Sequence, residues 1–407
     1  MNKEHAVIVG ASHAGAQLGA SLRQAGWQGR ISILGNEATP PYHRPPLSKA
    51  YLAGEKHRDE LLIRPAAFYE KSGIDLLLGS RVTGLDRANK VINLHDGGTI
   101  PYSKLALATG ARVRRLDLPG HGLEGVFYLR DLDDVDRIRG FIGVGKSAVI
   151  IGGGYIGLET AASMRKLGMQ VTVLEALPRV LQRVTAPEVS AFYSRVHAEE
   201  GVNIITGAGV DSIQGSGSVQ AVTLADGSNV RADLVVIGIG VLPATELAEA
   251  AGLAVDNGIV VDEFARTSDA DIVAAGDCTR HHNPIYDCHL RLESVQNATD
   301  QAKVAANTLC GKLEAYHALP WFWSDQYDLK LQIAGLSQGF DRVVLRGSSD
   351  RGRSFAAFYF SKDRLLAVDA INRPKEFMAT RRALTTGQTA DPAKIADESI
   401  DILQTFS

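Results

Sequence analysis

Apolar and polar positions along this chain fall into short blocks that repeat. Ala6-Val7-Ile8-Val9 is an apolar run of strand length that ends at Gly10, and the spacing after it predicts a helix from about Ala16 to Gln24. A second apolar run, Ile31-Ser32-Ile33-Leu34, ends in Gly35-Asn36-Glu37. The same order returns further on: strand Ala148 to Ile151, a glycine turn, a helix from about Leu158 to Leu167, then strand Val171 to Leu174 with Glu175 at its end. Short, wholly apolar runs bounded by glycine predict strands buried on both faces, and their alternation with helices predicts an α/β fold built on parallel sheets. In the tail, Lys330–Ala334 and Ser354–Tyr359 alternate or cluster like strands. Apart from the paired blocks there is no internal repeat and no low-complexity segment.

The glycine turns carry the first chemistry. Gly10, Ser12 and Gly15 read G-x-S-x-x-G, with His13 and Ala14 inside the turn; Gly152, Gly154 and Gly157 read G-x-G-x-x-G, with Tyr155 and Ile156 inside it. A turn of this kind between strand and helix is a phosphate cradle. The first glycine makes the tight bend, a small second position admits a pyrophosphate, and the third lets helix and strand pack closely. The helix N-terminus adds partial positive charge. An acid about 20 residues on bonds an adenosine ribose; Glu37 or Asn36 serves the first unit and Glu175 the second. Ser12 departs from the usual glycine but is small. Two cradles imply two dinucleotides whose reactive rings meet. A nicotinamide delivers hydride, and a flavin accepts hydride and releases electrons singly, so FAD with NADH is the pairing the motifs predict.

Composition narrows the class. A length of 407 residues predicts two or three domains at about 150 residues each. Hydrophobic residues at 45% and charged residues at 22% describe an ordinary globular chain. Lys plus Arg (43) nearly balance Asp plus Glu (46), for a net charge of -3, which gives no basic excess for a nucleic acid. Cys278, Cys288 and Cys310 form no C-x-x-C pair, so reduced thiols are expected. No signal-peptide pattern opens the chain, and no apolar stretch approaches the roughly 20 residues of a membrane span. The expected setting is cytoplasmic, with no membrane partner.

Three further segments carry a resemblance. Asp271-Ile272-Val273-Ala274-Ala275-Gly276-Asp277 is an apolar strand ending in Gly-Asp; Leu105 to Gly110 includes Ala108-Thr109-Gly110; Leu234 to Gly240 is an apolar strand ending in glycine. Their order around the two cradles resembles the two-dinucleotide flavoprotein family with the glutathione-reductase-like fold. The resemblance implies two Rossmann-like domains, an FAD domain of 1–110 plus 241–316 interrupted by an NAD domain of 111–240. Residues 317–407 would form a C-terminal α/β interface domain. In that family the Gly-Asp aspartate contacts the FAD ribityl chain, which implies the role for Asp277. Where disulfide reductases of the fold carry redox cysteines, this chain has Pro41-Tyr42-His43-Arg44-Pro45-Pro46-Leu47-Ser48-Lys49.

That string resembles the NADH–ferredoxin reductase branch, which serves haem-thiolate monooxygenases and ring-hydroxylating dioxygenases. So do Arg179 to Pro187, Glu293 to Ala298 and Pro320-Trp321-Phe322-Trp323-Ser324-Asp325-Gln326-Tyr327. The resemblance implies FAD contacts at Ala14, Asn36 or Glu37, Arg44, Lys49, Val82, Arg130, Asp277 and Val295. It implies Lys49 and Glu159 near the flavin–nicotinamide junction, and Trp323 beside the flavin on the route to a small acidic iron–sulfur ferredoxin. Ser324-Asp325-Gln326 is expected near a surface, and Arg64, Lys303 and Lys330 are candidate docking cations. Rival readings are a rubredoxin or nitrite-reductase donor, an NADH oxidase, or a redox-responsive binding protein like apoptosis-inducing factor. Cys278, His281, His282, Cys288 and His289 crowd together, but their spacing is irregular for zinc, and surface or packing roles are expected with no metal. Arg112, Arg114 and Arg115 are expected in a solvated crossover loop.

Overall fold

His5–Val9 is the middle strand of a five-stranded parallel sheet in this computed structural model, which describes residues 4–407. The strand order is Ile272–Ala274, Lys104–Leu107, His5–Val9, Arg30–Leu34, Ile74–Leu77. Successive side chains of the central strand alternate between two cores. Ala6 and Ile8 pack with Leu18 and Leu22 of helix His13–Ala25 and with Ala302 and Ala305 of helix Val295–Leu309. Val7 and Val9 pack on the other side with Ile92, Tyr102 and Cys278. Both faces are dry, which is why the strand is apolar at every position rather than at every second one.

The second block repeats this architecture. Ser147–Ile151 is central in the order Val202–Thr206, Gln170–Glu175, Ser147–Ile151, Leu234–Ile237, Val126–Tyr128, again parallel throughout. In each sheet the strand order reverses at the central strand, and the glycine turn leaves that strand's C-terminal end. That is where doubly wound sheets bind ligands. Both helices begin earlier than the sequence pattern predicts, at His13 rather than Ala16 and at Tyr155 rather than Leu158. The residues inside each motif already turn helically, because the third glycine allows the first turn to press on the strand. A Cβ at Gly15 would lie 1.8 Å from the Gly10 oxygen, and one at Gly157 2.0 Å from the Gly152 oxygen.

The tail forms a five-stranded antiparallel sheet in the order Trp321–Gln326, Leu329–Gly335, Arg364–Ile371, Phe355–Ser361, Arg342–Gly347. Helix Pro374–Thr385 packs on it. Two compact units result. One holds the residues up to His43 with Asp59–Arg112 and Leu242–Pro320; the other holds Arg44–Arg58, Val113–Val241 and Trp321–Ser407. The Pro-rich segment Arg44–Arg58 thus groups with the second dinucleotide fold and the tail. Arg58 pairs there with Asp133 at 2.7 Å, and the Tyr51 hydroxyl donates to Asp136 at 2.6 Å. Among the described residues no helix is long and apolar enough to cross a membrane.

Candidate dinucleotide sites and a buried ion pair

In the first unit Gly10 has φ +120° and packs so tightly that a Cβ would sit 2.0 Å from the Ala108 oxygen. Only glycine fits there. Ser12 is the N-cap of the following helix, with His13, Ala14 and Gly15 in its first turn. Gly276 lies against that turn, since a Cβ on it would be 3.2 Å from the Ala14 Cβ. Its N–H donates to Gln301 Oε1 at 2.8 Å. Asp277 is therefore held beside the cradle by its neighbour. Val295 opens a second helix in the same unit, capped by Ser294, whose Oγ accepts from Asn297 N at 3.1 Å. Glu37 is engaged with the Tyr42 hydroxyl, while Asn36 is exposed. Thr109 Oγ1 donates to Ala244 O at 2.6 Å and fixes the Ala108-Thr109-Gly110 crossover. Val82 lies half-buried on strand Val82–Asp86 in this unit.

The second unit holds the other cradle. Gly152 has φ +113° and packs on Gly238, whereas a Cβ at Gly154 would meet nothing within 4 Å. The turn thus leaves open space where a pyrophosphate fits. Glu175 is held by two backbone donors, Gly153 N at 2.7 Å and Leu177 N at 2.8 Å. Its carboxylate is fixed at the turn, and each oxygen keeps a lone pair for a ribose hydroxyl. Gly240 is in the left-handed region, with Arg183 close by: a Cβ on Gly240 would be 3.8 Å from Arg183 Nη2. Tyr155 rests on Phe322 with ring centroids 5.0 Å apart, its hydroxyl buried, while Ile156 is half-exposed. Arg44 donates to the Arg130 carbonyl at 2.7 Å, so both residues belong with this unit.

Glu159, on the helix that follows this cradle, is 4% exposed and fully engaged. Lys49 Nζ lies 2.7 Å from its Oε2. Ser48 Oγ donates to the same oxygen at 2.6 Å, and Ser324 Oγ donates to Oε1 at 2.5 Å. Behind Ser324 the network continues. Gln326 Nε2 donates to Ser324 Oγ at 3.2 Å, Gln326 Oε1 meets His197 Nε2 at 2.8 Å, and the Tyr327 hydroxyl meets His197 Nδ1 at 3.0 Å. An amide oxygen only accepts, so Nε2 carries the proton and Nδ1 accepts from Tyr327. Burial holds the imidazole below its usual pKa, in keeping with a neutral ring.

This network corrects one expectation. Ser324-Asp325-Gln326 is not a surface stretch: Ser324 and Gln326 are buried and only Asp325 is exposed. The segment is a strand, so alternate side chains point to opposite faces. Its inward polar groups serve the buried carboxylate. Ser48, Ser324, Gln326 and His197 escaped the sequence reading, because only the fold brings positions so distant in sequence to one carboxyl group. Trp323 is half-buried on the outer face of the same strand, stacked on Trp321 with centroids 5.5 Å apart.

The Cys/His cluster resolves into a hairpin, Thr279–Asn283 with Cys288–Leu290. Cys278 and His281 are buried, while His282 and His289 are ring neighbours at 5.4 Å. Burial lowers His281 to a pKa of about 4. Arg112 pairs with Glu246 at 2.5 Å, and Arg115 lies over the Tyr128 ring.

A family model described as pyridine nucleotide-disulphide oxidoreductase matches residues 4–302, and one described as reductase C-terminal matches residues 321–406. This chain belongs to the pyridine nucleotide-disulphide oxidoreductase family. It is 45% identical to putidaredoxin reductase CamA of Pseudomonas putida, over 98% of this chain and 96% of that protein. It is 44% identical to rhodocoxin reductase of Rhodococcus erythropolis, over 97% of this chain and 93% of that protein. The crystal structure of the covalent putidaredoxin reductase–putidaredoxin complex superposes with a TM-score of 0.96 at 45% identity, covering 98% of this chain and 97% of that one. The expected fold class and family hold, and the chain is an oxidoreductase of the kind that uses FAD and NAD(H). The family's name invokes a disulphide, yet all three cysteines are free, and burial raises the pKa of each thiol. Protonated thiols are poor nucleophiles. Replacing Cys278 with alanine and Cys288 and Cys310 with serine should leave steady-state turnover within about twofold, since the thiols are unpaired and held protonated by burial. Loss of turnover in a folded triple variant would reveal thiol chemistry.

Proposed function

We propose that this chain takes hydride from NADH and delivers single electrons to a small acidic two-iron two-sulfur ferredoxin. That ferredoxin serves a monooxygenase, of the haem-thiolate type in preference, or a ring-hydroxylating dioxygenase, in the cytoplasm. Each NADH becomes NAD+ and a proton while two ferredoxins are reduced. When bound, FAD supplies the conversion of a two-electron donor into one-electron steps. The observation that carries this reading is the whole-length similarity to a reductase solved in a covalent complex with putidaredoxin.

Within it, the Gly10–Gly15 turn and Asp277 hold FAD, and the Gly152–Gly157 turn and Glu175 hold NADH. The Lys49–Glu159 pair keeps a fixed ammonium and carboxylate for the hydride step, and Trp323 serves the electron exit. The deciding experiment is steady-state reduction of a purified two-iron ferredoxin against reduction of oxygen. Ferredoxin should be much the faster acceptor, and equal rates would favour an oxidase.

Two further results are expected. Asp277→Ala should weaken FAD retention by roughly 1.5–3 kcal/mol, the usual worth of a charge-assisted hydrogen bond. Unchanged flavin affinity, measured by release on dilution, would move the ribityl contact elsewhere. Trp323→Ala should slow ferredoxin reduction more than flavin reduction by NADH in stopped flow. Ferredoxin reduction should also fall as salt rises, while reduction of a small neutral acceptor stays nearly constant. Equal losses in both steps would assign Trp323 to packing.

A further inference from the structure

Between Glu175 and Pro187 the chain leaves the second parallel sheet and returns to a helix, and it is tied down along its length. Leu181 takes a left-handed backbone, φ +54°, without being glycine. Its N–H donates to the Gly153 carbonyl at 3.0 Å, inside the second glycine turn. Left-handed conformations of branched residues persist where the surroundings impose them. Arg179 is one restraint. Its guanidinium donates to Thr185 O at 2.8 Å, Ser190 Oγ at 2.6 Å and Gln182 O at 3.1 Å. Arg183, by contrast, is exposed and reaches toward Gly240, so the segment walls the crevice where the strand order reverses.

The far end of the segment is fastened to the C-terminal sheet. Thr185 Oγ1 donates to Asp369 Oδ2 at 2.6 Å, and the Tyr359 hydroxyl donates to the same oxygen at 2.5 Å. The Ala186 N–H donates to the Tyr359 oxygen at 3.1 Å. Thr185, Tyr359 and Asp369 are all buried, and Asp369 sits within the strand that pairs with both of its neighbours in the sheet. A buried carboxylate needs these donors, and each donor is costly to leave unmade. The hydrogen-bond chain runs from the C-terminal sheet through Thr185 and Ala186 to Leu181, and from Leu181 to the turn itself.

We propose that Asp369, Tyr359 and Thr185 are positioning residues for the nicotinamide dinucleotide: they hold the Glu175–Pro187 segment against the glycine turn and Arg183 over the crevice. The C-terminal domain thereby sets the affinity of the coenzyme site. This rests on the reading that the Gly152–Gly157 turn holds NADH.

The test uses the FAD-loaded full-length enzyme, with NAD+ affinity from calorimetric titration and NADH kinetics with a small artificial acceptor. Thr185→Val and Tyr359→Phe keep volume and remove one hydroxyl each. Both should raise the NAD+ Kd and the NADH KM about five- to tenfold while kcat stays within twofold, and Thr185→Ser should restore parental affinity. Lowered thermal stability with unchanged NAD+ affinity would overturn the proposal, as would a fall in kcat at constant KM. Gly154→Val, whose side chain enters the open space above the turn, tests the underlying reading separately. If that variant binds NAD+ as the parent does, the coenzyme lies elsewhere and the inference falls with it.

Discussion

NADH will exceed NADPH in kcat/KM by about two orders of magnitude, as a lost charge-assisted hydrogen bond plus a like-charge contact implies. The carboxylate of Glu175 is clamped at the glycine turn by Gly153 N and Leu177 N, so with the coenzyme ribose placed there, as proposed above, it is held facing a 2′-phosphate. The cations that would rescue NADPH are constrained in different ways. Arg179 follows Glu175 closely in sequence and looks able to neutralise a phosphate, but three bonds to its own loop and helix commit it. Arg183 alone of the two is exposed, and it reaches toward Gly240 on the other side of the crevice. Initial rates with both coenzymes at several concentrations check this, and comparable efficiencies would refute it. Glu175 variants are a poorer probe, because the same carboxylate holds the backbone of the turn.

Arg179 shows where sequence reading stops. Both glycine motifs, their strands and the acids after them were legible, because each is local: a strand, a bend and a helix within about thirty residues. Their recurrence predicted the parallel sheets, and the central strands do pair in parallel with their neighbours. The site that forms around Glu159 was only half legible. Lys49 and Glu159 came from resemblance, while Ser48, Ser324, Gln326 and His197 carry no motif. They meet through packing of a helix, the Pro-rich segment and an antiparallel strand. Trp321-Phe322-Trp323 belongs to a string that resembles the reductase branch, and the polar residues after it read as a surface stretch. Strand alternation reversed that for two of the three. A serine facing inward has the same letter as a serine facing water, and only the carboxylate opposite it tells them apart.

Breaking the Lys49–Glu159 pair from one side will destabilise the enzyme by about 3–5 kcal/mol, because a buried charge is left without its partner. Glu159 is 4% exposed and Lys49 18%, so solvent replaces little of what is lost. Lys49→Met removes the ammonium and leaves the carboxylate to Ser48 and Ser324, two neutral donors. Glu159→Gln removes the charge from the other side but keeps a side chain that still accepts from a hydroxyl. It should be the milder variant. Joined in one chain, Lys49→Met and Glu159→Gln should recover much of the stability lost by Lys49→Met alone, since no unpaired carboxylate remains. Denaturant unfolding of the parent, both single variants and the double variant gives the coupling directly. The kinetics should then part company with the stability. On the proposal that this pair serves the hydride step, flavin reduction by NADH should stay slow in the double variant even where its stability recovers. Recovery of the stopped-flow rate along with the stability would make the pair a structural clasp and leave the hydride step to other groups. Additive losses in stability would instead mean that the two charges, 2.7 Å apart, do not depend on each other.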